Sequence, residues 1–578
     1  MCPPQPAEKR PPTQRWLPVL RRISRRTTAT SVVLLTVAAS ALAGCKTHSS
    51  AAQPPPSTAA ASSPTRGASP VATRTPTSGP MPPATSAPPV SASPPESASP
   101  TPDPVVSTPP ADLPATTVID AATPARLSVS VSRALFASSP VVVTASVTDL
   151  AGVASGAHEA ELIGVPLLLT HHNDAAPAGA MPTVQVFADE LTRLGATSVL
   201  AMGARAVEVA AADPDVQVVT TATDAHGVAV PNADAPTVLV QNGAGAGSVI
   251  AADAAATAHA AGDIVVGFRG ADPRADVNAI AALAKNPPTT VLAVGGAFGP
   301  PDRLAARIAV ASTGMMLPGA GQLFFPGRRL LALYGHPGGA GLGVLGAQDL
   351  PSSIARAQQL AATYQPLSTV PVVPTFEIIA TVAQAAAGDD GNYSAESSVA
   401  SLLPWVQQAN AAGLYVVLDL QPGSADVLAQ AKLYTSLLQL PNVGLAIDPE
   451  WALAPGEVPL HQIGSIDTAQ INAVGEWLEQ LTAAGHLPQK LFVLHQFRLS
   501  MIGHESALKT SYDDIAVLIH MDGQGGTPSK IATWTTVVHT APKGVPFGWK
   551  NFYKEDHPTM TPEQTMAQRP TPVMISYQ

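Results

Sequence analysis

Residues 414–451 have the sequence LYVVLDLQPGSADVLAQAKLYTSLLQLPNVGLAIDPEW. The stretch begins with an apolar, β-branched run that ends in polar residues. A helical stretch follows, and a second apolar run closes it. Short, continuously apolar runs separated by helices are typical of parallel strands buried on both faces. We therefore predict a strand–helix–strand unit here.

The same alternation recurs throughout the C-terminal half of the chain. Eight apolar runs follow one another, most of them separated by helical stretches. They are RRLLALYGHPG, PVVPTFEIIATVA, LYVVLDLQPG, NVGLAIDPEW, KLFVLHQF, DIAVLIHMDGQG, VPFGWKNFY and PVMISYQ. Eight strand–helix units match a (β/α)₈ barrel, which typically takes ~250 residues. We predict that residues 321–578 form such a barrel.

Polar residues collect where these predicted strands end, which is the side of a (β/α)₈ barrel that carries active sites. The candidate catalytic residues are Glu377, Asp419, Asp448 and Glu450. The candidate substrate-binding residues are His336, Trp451, His495, Gln496, His520, Asp522 and Trp549. A barrel built only for packing has no reason to collect carboxylates and histidines at one end.

Asp448 and Glu450 suggest the kind of chemistry. Strand alternation would place both on one face, ~6–7 Å apart. A glycoside hydrolase uses two carboxyl groups: one with a raised pKa protonates the leaving oxygen, and an ionised one stabilises the cationic transition state. We therefore predict a glycoside hydrolase-like barrel with Glu450 as the acid and Asp448 as its partner, and leave open whether the chain is an enzyme.

The run GLAIDPEW also resembles the D-x-E signature on the fourth strand of barrel glycosidases that cleave chitin or peptidoglycan. The resemblance implies that Glu450 is the general acid and that Asp448 orients an N-acetyl group of the substrate. Pro449 stands where those families have an aromatic or hydrophobic residue. Gly444 and Ala446 occupy the places of their earlier aspartates.

Two other functions stay open at this stage. The histidines and carboxylates could bind a divalent metal for deacetylation or amide cleavage, although no H-x-H or H-E-x-x-H spacing is present. Alternatively, the barrel could be a non-catalytic wall-binding or structural module. Single residues also have structural explanations: Asp448 could cap a turn bent by Pro449, and His495 and His520 could be buried, hydrogen-bonded histidines.

Residues 118–320 show strand-like runs alternating with alanine-rich helical stretches, which predicts an α/β domain with a largely parallel sheet. Two segments share one order of helix, turn, apolar strand and glycine turn. They are ELTRLGATSVLAMGARAV and AIAALAKNPPTTVLAVGGAFG. We interpret this as an internal duplication.

This domain resembles the cell wall-binding repeat 2 family of Gram-positive surface proteins. The matching segments are PARLSVSVSRALF, VVVTASVTDLAGVASGAHEAELIGVPLLLT and LGATSVLAMGARAV. The chain departs from the family at Arg126, which no glycine–arginine pair follows, and at Met202-Gly203, where a double glycine is usual. The resemblance implies attachment to an anionic wall polymer.

Residues 1–45 have the features of a lipoprotein signal peptide. A basic segment with four arginines precedes the apolar run SVVLLTVAASALAG, which is shorter than the ~20 residues that span a bilayer. The run ends in the lipobox Leu42-Ala43-Gly44-Cys45, which predicts lipidation of Cys45. Residues 46–117, rich in Ala, Pro, Ser and Thr, are predicted to form a long disordered tether.

The chain as a whole resembles actinobacterial lipoproteins that join a domain of this wall-binding type to a C-terminal barrel. We therefore expect an extracytoplasmic protein, lipid-anchored to the outer face of the cell membrane, with wall polysaccharide as its partner. A net charge of −10 argues against nucleic acid. No cofactor is expected, because NGAGAG at 242–247 lacks the G-x-G-x-x-G spacing of a dinucleotide site. No metal ligands are assigned, because the histidines show no ligand spacing.

Overall fold

The computed structural model describes residues 105–107, 113–170, 183–210, 215–221, 227–229, 235–242 and 246–578. The predicted signal peptide, the lipobox at Cys45 and most of the predicted tether lie outside these ranges, as does part of the NGAGAG segment. Among the helices in these ranges, none has the length and apolar character needed to cross a membrane.

Among the described residues between 105 and 312, ten short strands and seven helices follow one another. The strands are β1 (Val105–Ser107), β2 (Thr116–Ile119), β3 (Val141–Ser146), β4 (Leu167–Thr170), β5 (Ser198–Met202), β6 (Gln217–Val219), β7 (Gly227–Ala229), β8 (Thr237–Gln241), β9 (Ile264–Phe268) and β10 (Val291–Val294). The helices are α1 (Pro124–Leu135), α2 (Leu150–Ile163), α3 (Thr183–Leu194), α4 (Ala204–Ala210), α5 (Ala246–Ala260), α6 (Val277–Lys285) and α7 (Pro301–Ser312).

These strands form two parallel four-stranded sheets where the sequence predicted one. Their orders are β4-β3-β5-β6 and β9-β8-β10-β2, and β1 pairs separately with β7. In each sheet the chain forms the second strand of the order first, then the first strand, then the third. These strands are β3, β4 and β5 in one sheet and β8, β9 and β10 in the other. The two segments that look alike in sequence supply the third strand of each order, β5 and β10. Their relation to wall-binding repeats stays a prediction.

One apolar cluster joins the two sheets. It contains Val142 of β3, Val240 of β8 and Leu292 of β10, together with Ala254 and Ala258 of α5. The small alanine side chains let α5 pack closely against its neighbours, which explains why this helix is so rich in alanine. The two sheets therefore share a core.

Strand β1 and the first two residues of β2 lie within residues 46–117, which the sequence analysis predicted to be disordered throughout. Strand β1 pairs in parallel with β7, and β2, which begins at Thr116, pairs in parallel with β10. Valine and threonine favour strands, and here they have partner strands that the local proline-rich composition does not reveal. The end of the predicted tether, from Thr116, thus belongs to a sheet of the folded chain.

The C-terminal half contains eleven strands and seven helices. The strands are β11 (Arg329–Gly335), β12 (Val372–Ala383), β13 (Ser394–Glu396), β14 (Tyr415–Leu420), β15 (Val443–Ile447), β16 (Ile466–Asp467), β17 (Lys490–His495), β18 (Ile502–Gly503), β19 (Ile515–Met521), β20 (Phe547–Asn551) and β21 (Met574–Tyr577). The helices are α8 (Leu350–Tyr364), α9 (Val399–Ala411), α10 (Val427–Leu433), α11 (Thr435–Leu438), α12 (Thr468–Ala484), α13 (Thr527–Thr540) and α14 (Pro562–Met566).

Eight of these strands close into a parallel barrel. The order around it is β11-β12-β14-β15-β17-β19-β20-β21, and β11 pairs in parallel with both β12 and β21. Each of the eight apolar runs quoted above supplies one strand. The prediction of an eight-stranded parallel α/β barrel is therefore confirmed.

Strand alternation divides the barrel residues between two apolar clusters. One set fills the interior of the barrel: Leu330, Ala332, Val373, Tyr415, Val417, Ala446, Leu491, Val493, Leu518 and Met574. The other set packs outward with residues of the helices: Leu333, Phe376, Leu418, Leu445, Leu494 and Trp549. A residue's parity along its strand therefore decides whether it faces the interior or the helices.

A buried arginine joins the two halves of the chain. Arg274, between β9 and α6, is 1% exposed and lies 3.1 Å from Asp513 and 2.6 Å from Asp514, the two residues that precede β19. Asp272, in its own loop, lies 2.9 Å from it as well. Three carboxylates thus surround this guanidinium at the junction, and Arg307 of α7 also pairs with Asp272 and Asp513.

Candidate functional site

The next inward position on each barrel strand, above the apolar interior, carries a polar side chain. We call these eight residues the polar layer: Tyr334, Glu377, Asp419, Asp448, His495, His520, Lys550 and Ser576. Each follows an interior residue at a spacing of two. Strand alternation therefore brings residues from eight separate runs to the C-terminal end of one barrel.

His495 lies among three carboxylates. Its Nε2 is 3.0 Å from Oε1 of Glu377 and 3.8 Å from Oδ1 of Asp419, while its Nδ1 is 3.1 Å from Oδ2 of Asp522. Burial lowers the pKa of His495, but the negative charges of Glu377 and Asp522 outweigh this effect and hold it well above its ordinary value. The ring is therefore an imidazolium.

The pKa of Asp522 shifts downward, opposite to that of His495. Burial raises the pKa of its carboxyl, yet the hydrogen bond and positive charge of His495 bring it below its ordinary value. Asp522 is therefore ionised at neutral pH. Its negative charge is partly balanced by the imidazolium beside it.

The sequence analysis missed three polar-layer residues: Tyr334, Lys550 and Ser576. The hydroxyl of Tyr334 donates a hydrogen bond of 2.9 Å to Oδ2 of Asp419. The Nζ atom of Lys550 lies 3.4 Å from the centre of the Tyr334 ring, a cation–π contact. Lys550 is 3% exposed, and within the described ranges no carboxylate lies at ion-pair distance from it. A lysine in the apolar run VPFGWKNFY was the available signal.

Three carboxyl groups near these residues have raised pKa values. Burial raises the pKa of Asp419 to about 6, with the charges of His495 and Lys550 limiting the rise. Burial, and then the neighbouring charge of Asp522, raise the pKa of Glu450 to about 7. Burial and the charge of Glu450 raise the pKa of Asp448 well above its ordinary value. These acids lie close enough together to influence one another's protonation.

A turn, and not strand alternation, places Glu450. Strand β15 ends at Ile447, and the N–H of Asp448 still donates to the carbonyl of Leu420 on the neighbouring strand β14. Residues Pro449–Trp451 form a single 3₁₀ turn, so the alternation assumed from the sequence stops after Asp448. Asp448 precedes this turn, but its side chain does not cap it. The buried Asp448 and the half-buried Glu450 nevertheless interact through their charges.

Two of the predicted substrate-binding residues are not part of this cluster. Nδ1 of His336 accepts a 2.9 Å hydrogen bond from the backbone N–H of Gly338, and its Nε2 lies 3.1 Å from the hydroxyl of Ser397. Trp549 is fully buried and faces the helices, with its ring 5.4 Å from that of Trp534. Its parity on β20 is opposite to that of Lys550, so it offers no platform for a sugar.

The remaining predicted residues lie at or beside the polar layer. The amide of Gln496 donates to Glu505 at 3.2 Å, and Trp451 is half-buried next to Glu450 in the chain. Nε2 of His520 lies 2.7 Å from the hydroxyl of Ser576. Burial and the charge of His495 hold the pKa of His520 well below its ordinary value, so this ring is neutral.

Several buried acceptor atoms of the cluster receive no hydrogen bond from any residue that the structure describes. They are Oε2 of Glu377, Oδ1 of Asp419, Oδ1 of Asp448 and Oδ1 of Asp522. A buried acceptor left without a donor is costly, so folded proteins rarely keep one without a reason. Four such oxygens at one end of a barrel are what a site for a donor-rich ligand requires.

The described ranges contain no group of three or more His, Cys, Asp or Glu residues arranged to hold a metal ion. Similarity searches add no assignment: no family model matches the chain, and neither a curated protein nor a solved structure shows significant similarity to it.

Proposed function

We propose that the barrel is a glycoside hydrolase that acts on a cell-wall polysaccharide, with Glu450 as the proton donor. One observation carries the proposal: the pKa of half-buried Glu450 is raised to about 7, while ionised carboxylates lie beside it. A general acid works best when its pKa is near the working pH, and glycosidases obtain such an acid through burial and neighbouring charge.

The proposed reaction follows from these protonation states. Glu450 donates its proton to the glycosidic oxygen as the bond from that oxygen to the anomeric carbon breaks, and the electron pair leaves with the oxygen. Positive charge then develops on the sugar ring, where the carboxylates of Asp419 and Asp522 stabilise it. Water adds to the anomeric carbon and returns a proton to Glu450. Asp448 is the neighbouring carboxyl group whose charge interacts with that of Glu450.

In this proposal the rest of the chain holds the barrel at the cell membrane and the cell wall. Lipidation of Cys45 anchors the protein to the outer face of the cell membrane, residues 46 onward act as a tether, and the domain at 118–320 binds wall polymer. The support for these parts is the lipobox, the proline-rich composition and the resemblance to the cell wall-binding repeat 2 family. None of them depends on the chemistry of the barrel.

The test is hydrolysis of purified wall glycan and of defined oligosaccharides by the wild-type chain and by Glu450→Gln. We expect Glu450→Gln to release reducing sugar at least about 100-fold more slowly, because a glutamine has no proton to donate. Glu476→Gln is the matched control, since that side chain is 56% exposed on α12. Equal rates for wild type and Glu450→Gln would end the proposal, and wall binding without sugar release would favour a binding module.

A further inference from the structure

The polar layer is short of positive charge. Five carboxyl groups lie together at this end of the barrel, belonging to Glu377, Asp419, Asp448, Glu450 and Asp522. Of the residues that the structure describes, two cationic groups, those of His495 and Lys550, lie among them. Mutual repulsion contributes to the raised pKa values of Asp419, Asp448 and Glu450. A positive charge brought into this space would relieve that repulsion.

The same space also contains buried carboxyl oxygens that receive no hydrogen bond from the described residues. Glu377, Asp419, Asp448 and Asp522 are each at most 6% exposed, and each keeps one oxygen that accepts no hydrogen bond within the described part of the chain. On the donor side, the hydroxyl of Tyr334 already bonds Asp419. A ligand group with several N–H donors and no acceptor matches this environment best.

We propose that the group bound at the polar layer is the ammonium of a non-acetylated amino sugar. An ammonium offers three donors and one positive charge, and it has no acceptor atom. An acetamido group would bring a carbonyl oxygen into a space already lined with oxygens, and it would bring no charge. The inference rests on the proposed function, since it names the substrate class of the same site. It differs from the sequence resemblance, which implies an N-acetylated sugar.

Small metal cations are a poorer match than an ammonium. Metal ions need several ligands at short distances in a fixed geometry. In the described ranges the acidic and histidine side chains do not form such a group. The oxygens are instead spread over four strand ends, which suits a larger group that makes directed hydrogen bonds.

The test is calorimetric titration of the full wild-type chain with two tetrasaccharides of equal length, one of glucosamine and one of N-acetylglucosamine. We expect the glucosamine tetramer to bind about ten- to a hundredfold more tightly, as two charged hydrogen bonds would provide. We also expect its binding to release protons into the buffer, because a nearby cation favours ionisation of Asp448 and Glu450. Equal affinities, or a preference for the acetylated tetramer, would overturn the inference.

Two variants test whether the preference for the glucosamine tetramer arises at the polar layer. Asp448→Asn keeps the shape of the side chain but cannot ionise, so the preference for the glucosamine tetramer should fall to about twofold or less. Glu476→Gln removes a carboxylate from the exposed face of α12 and should keep the full preference. If both variants keep it, the attraction comes from the net negative charge of the whole chain and the site is not responsible.

The titration also separates this inference from the proposed function, provided that the products are analysed afterwards. Preferential binding of the glucosamine tetramer without cleavage of any glycan would support the ligand class and reject the hydrolase. Cleavage that depends on Glu450, with no preference for the glucosamine tetramer, would support the hydrolase and reject the ligand class.

Discussion

Replacing Glu450 with glutamine should stabilise the protein at neutral pH, although the residue is proposed to be essential for activity. The ordinary pKa of this carboxyl is 4.5, and its surroundings in the folded chain raise it to about 7. The folded state therefore holds the proton more tightly than the unfolded state does. The contribution of the Glu450 carboxyl to the free energy of unfolding is fully present below about pH 4.5, and it is lost as the pH rises through about 7.

The magnitude follows from the size of the shift. One pKa unit corresponds to about 1.4 kcal/mol, so a rise from 4.5 to about 7 corresponds to about 3 kcal/mol between the two limits of pH. About 2 kcal/mol of this develops between about pH 5 and about pH 8. Glutamine resembles the protonated carboxyl and does not titrate. Near pH 5 Glu450→Gln should thus be more stable by about 1 kcal/mol, and near pH 8 by about 3 kcal/mol.

Urea denaturation at several pH values measures this difference directly. The free energy of unfolding of Glu450→Gln minus that of the wild type is plotted against pH, so that all other titrating groups cancel. Glu476→Gln is the control and should give a flat line, because its carboxylate is exposed and its 3.6 Å ion pair with Lys509 is solvated. A flat line for Glu450→Gln as well would refute the account of its environment.

Three further predictions concern catalysis, the space beneath His520 and the junction of the two halves. If Glu450 is the proton donor, kcat/KM for glycan hydrolysis should fall about tenfold per pH unit above about pH 7, because only the protonated carboxyl donates, and a rate–pH profile checks this. Gly548→Ala should lower the free energy of unfolding by about 1–3 kcal/mol in urea denaturation, since its Cβ would overlap the buried ring of His520. Arg274→Met should lower it by about 3–5 kcal/mol in the same assay, because Asp514 loses its cation and Asp272 and Asp513 keep only Arg307.

Each of these predictions has a control variant or an outcome that would contradict it. A rate that stays constant up to about pH 9 would contradict the assignment of Glu450 as the acid. Gly247→Ala should be nearly neutral, because nothing lies within 4 Å of its Cβ position, and an equal loss there would point to a general effect of alanine. Arg303 is exposed on α7, so Arg274→Met must destabilise the chain more than Arg303→Met does if the buried network matters.

The barrel could be predicted from the sequence because its signal is local and repeated. Each strand is buried on both faces, so each appears as a continuous apolar run, and eight such runs in succession leave few other folds. The two N-terminal sheets were harder to predict. Strand β2 completes a sheet whose other strands come more than a hundred residues later, and no local pattern reveals such a partner.

The candidate site was predictable in part, because a polar residue at the end of an apolar run is also a local signal. Asp419 and His495 stand out as single polar residues at the ends of apolar runs, and the structure brings them within 3.8 Å of each other. Trp549 stands at a strand end too, but its parity turns it toward α13, where Trp534 lies. Lys550, the next residue, faces inward, and nothing in the residue types alone indicates which of the two neighbours does so.

The sequence by itself determined the parallel α/β barrel and the strand ends at which polar residues gather, because burial on both faces and strand termination leave local patterns. Only the tertiary structure decided which of those residues meet. It held His495 between Glu377 and Asp522, and it raised the pKa of Glu450 to about 7. Burial and the distances between charges depend on segments far apart in the chain, so no stretch of sequence contains them.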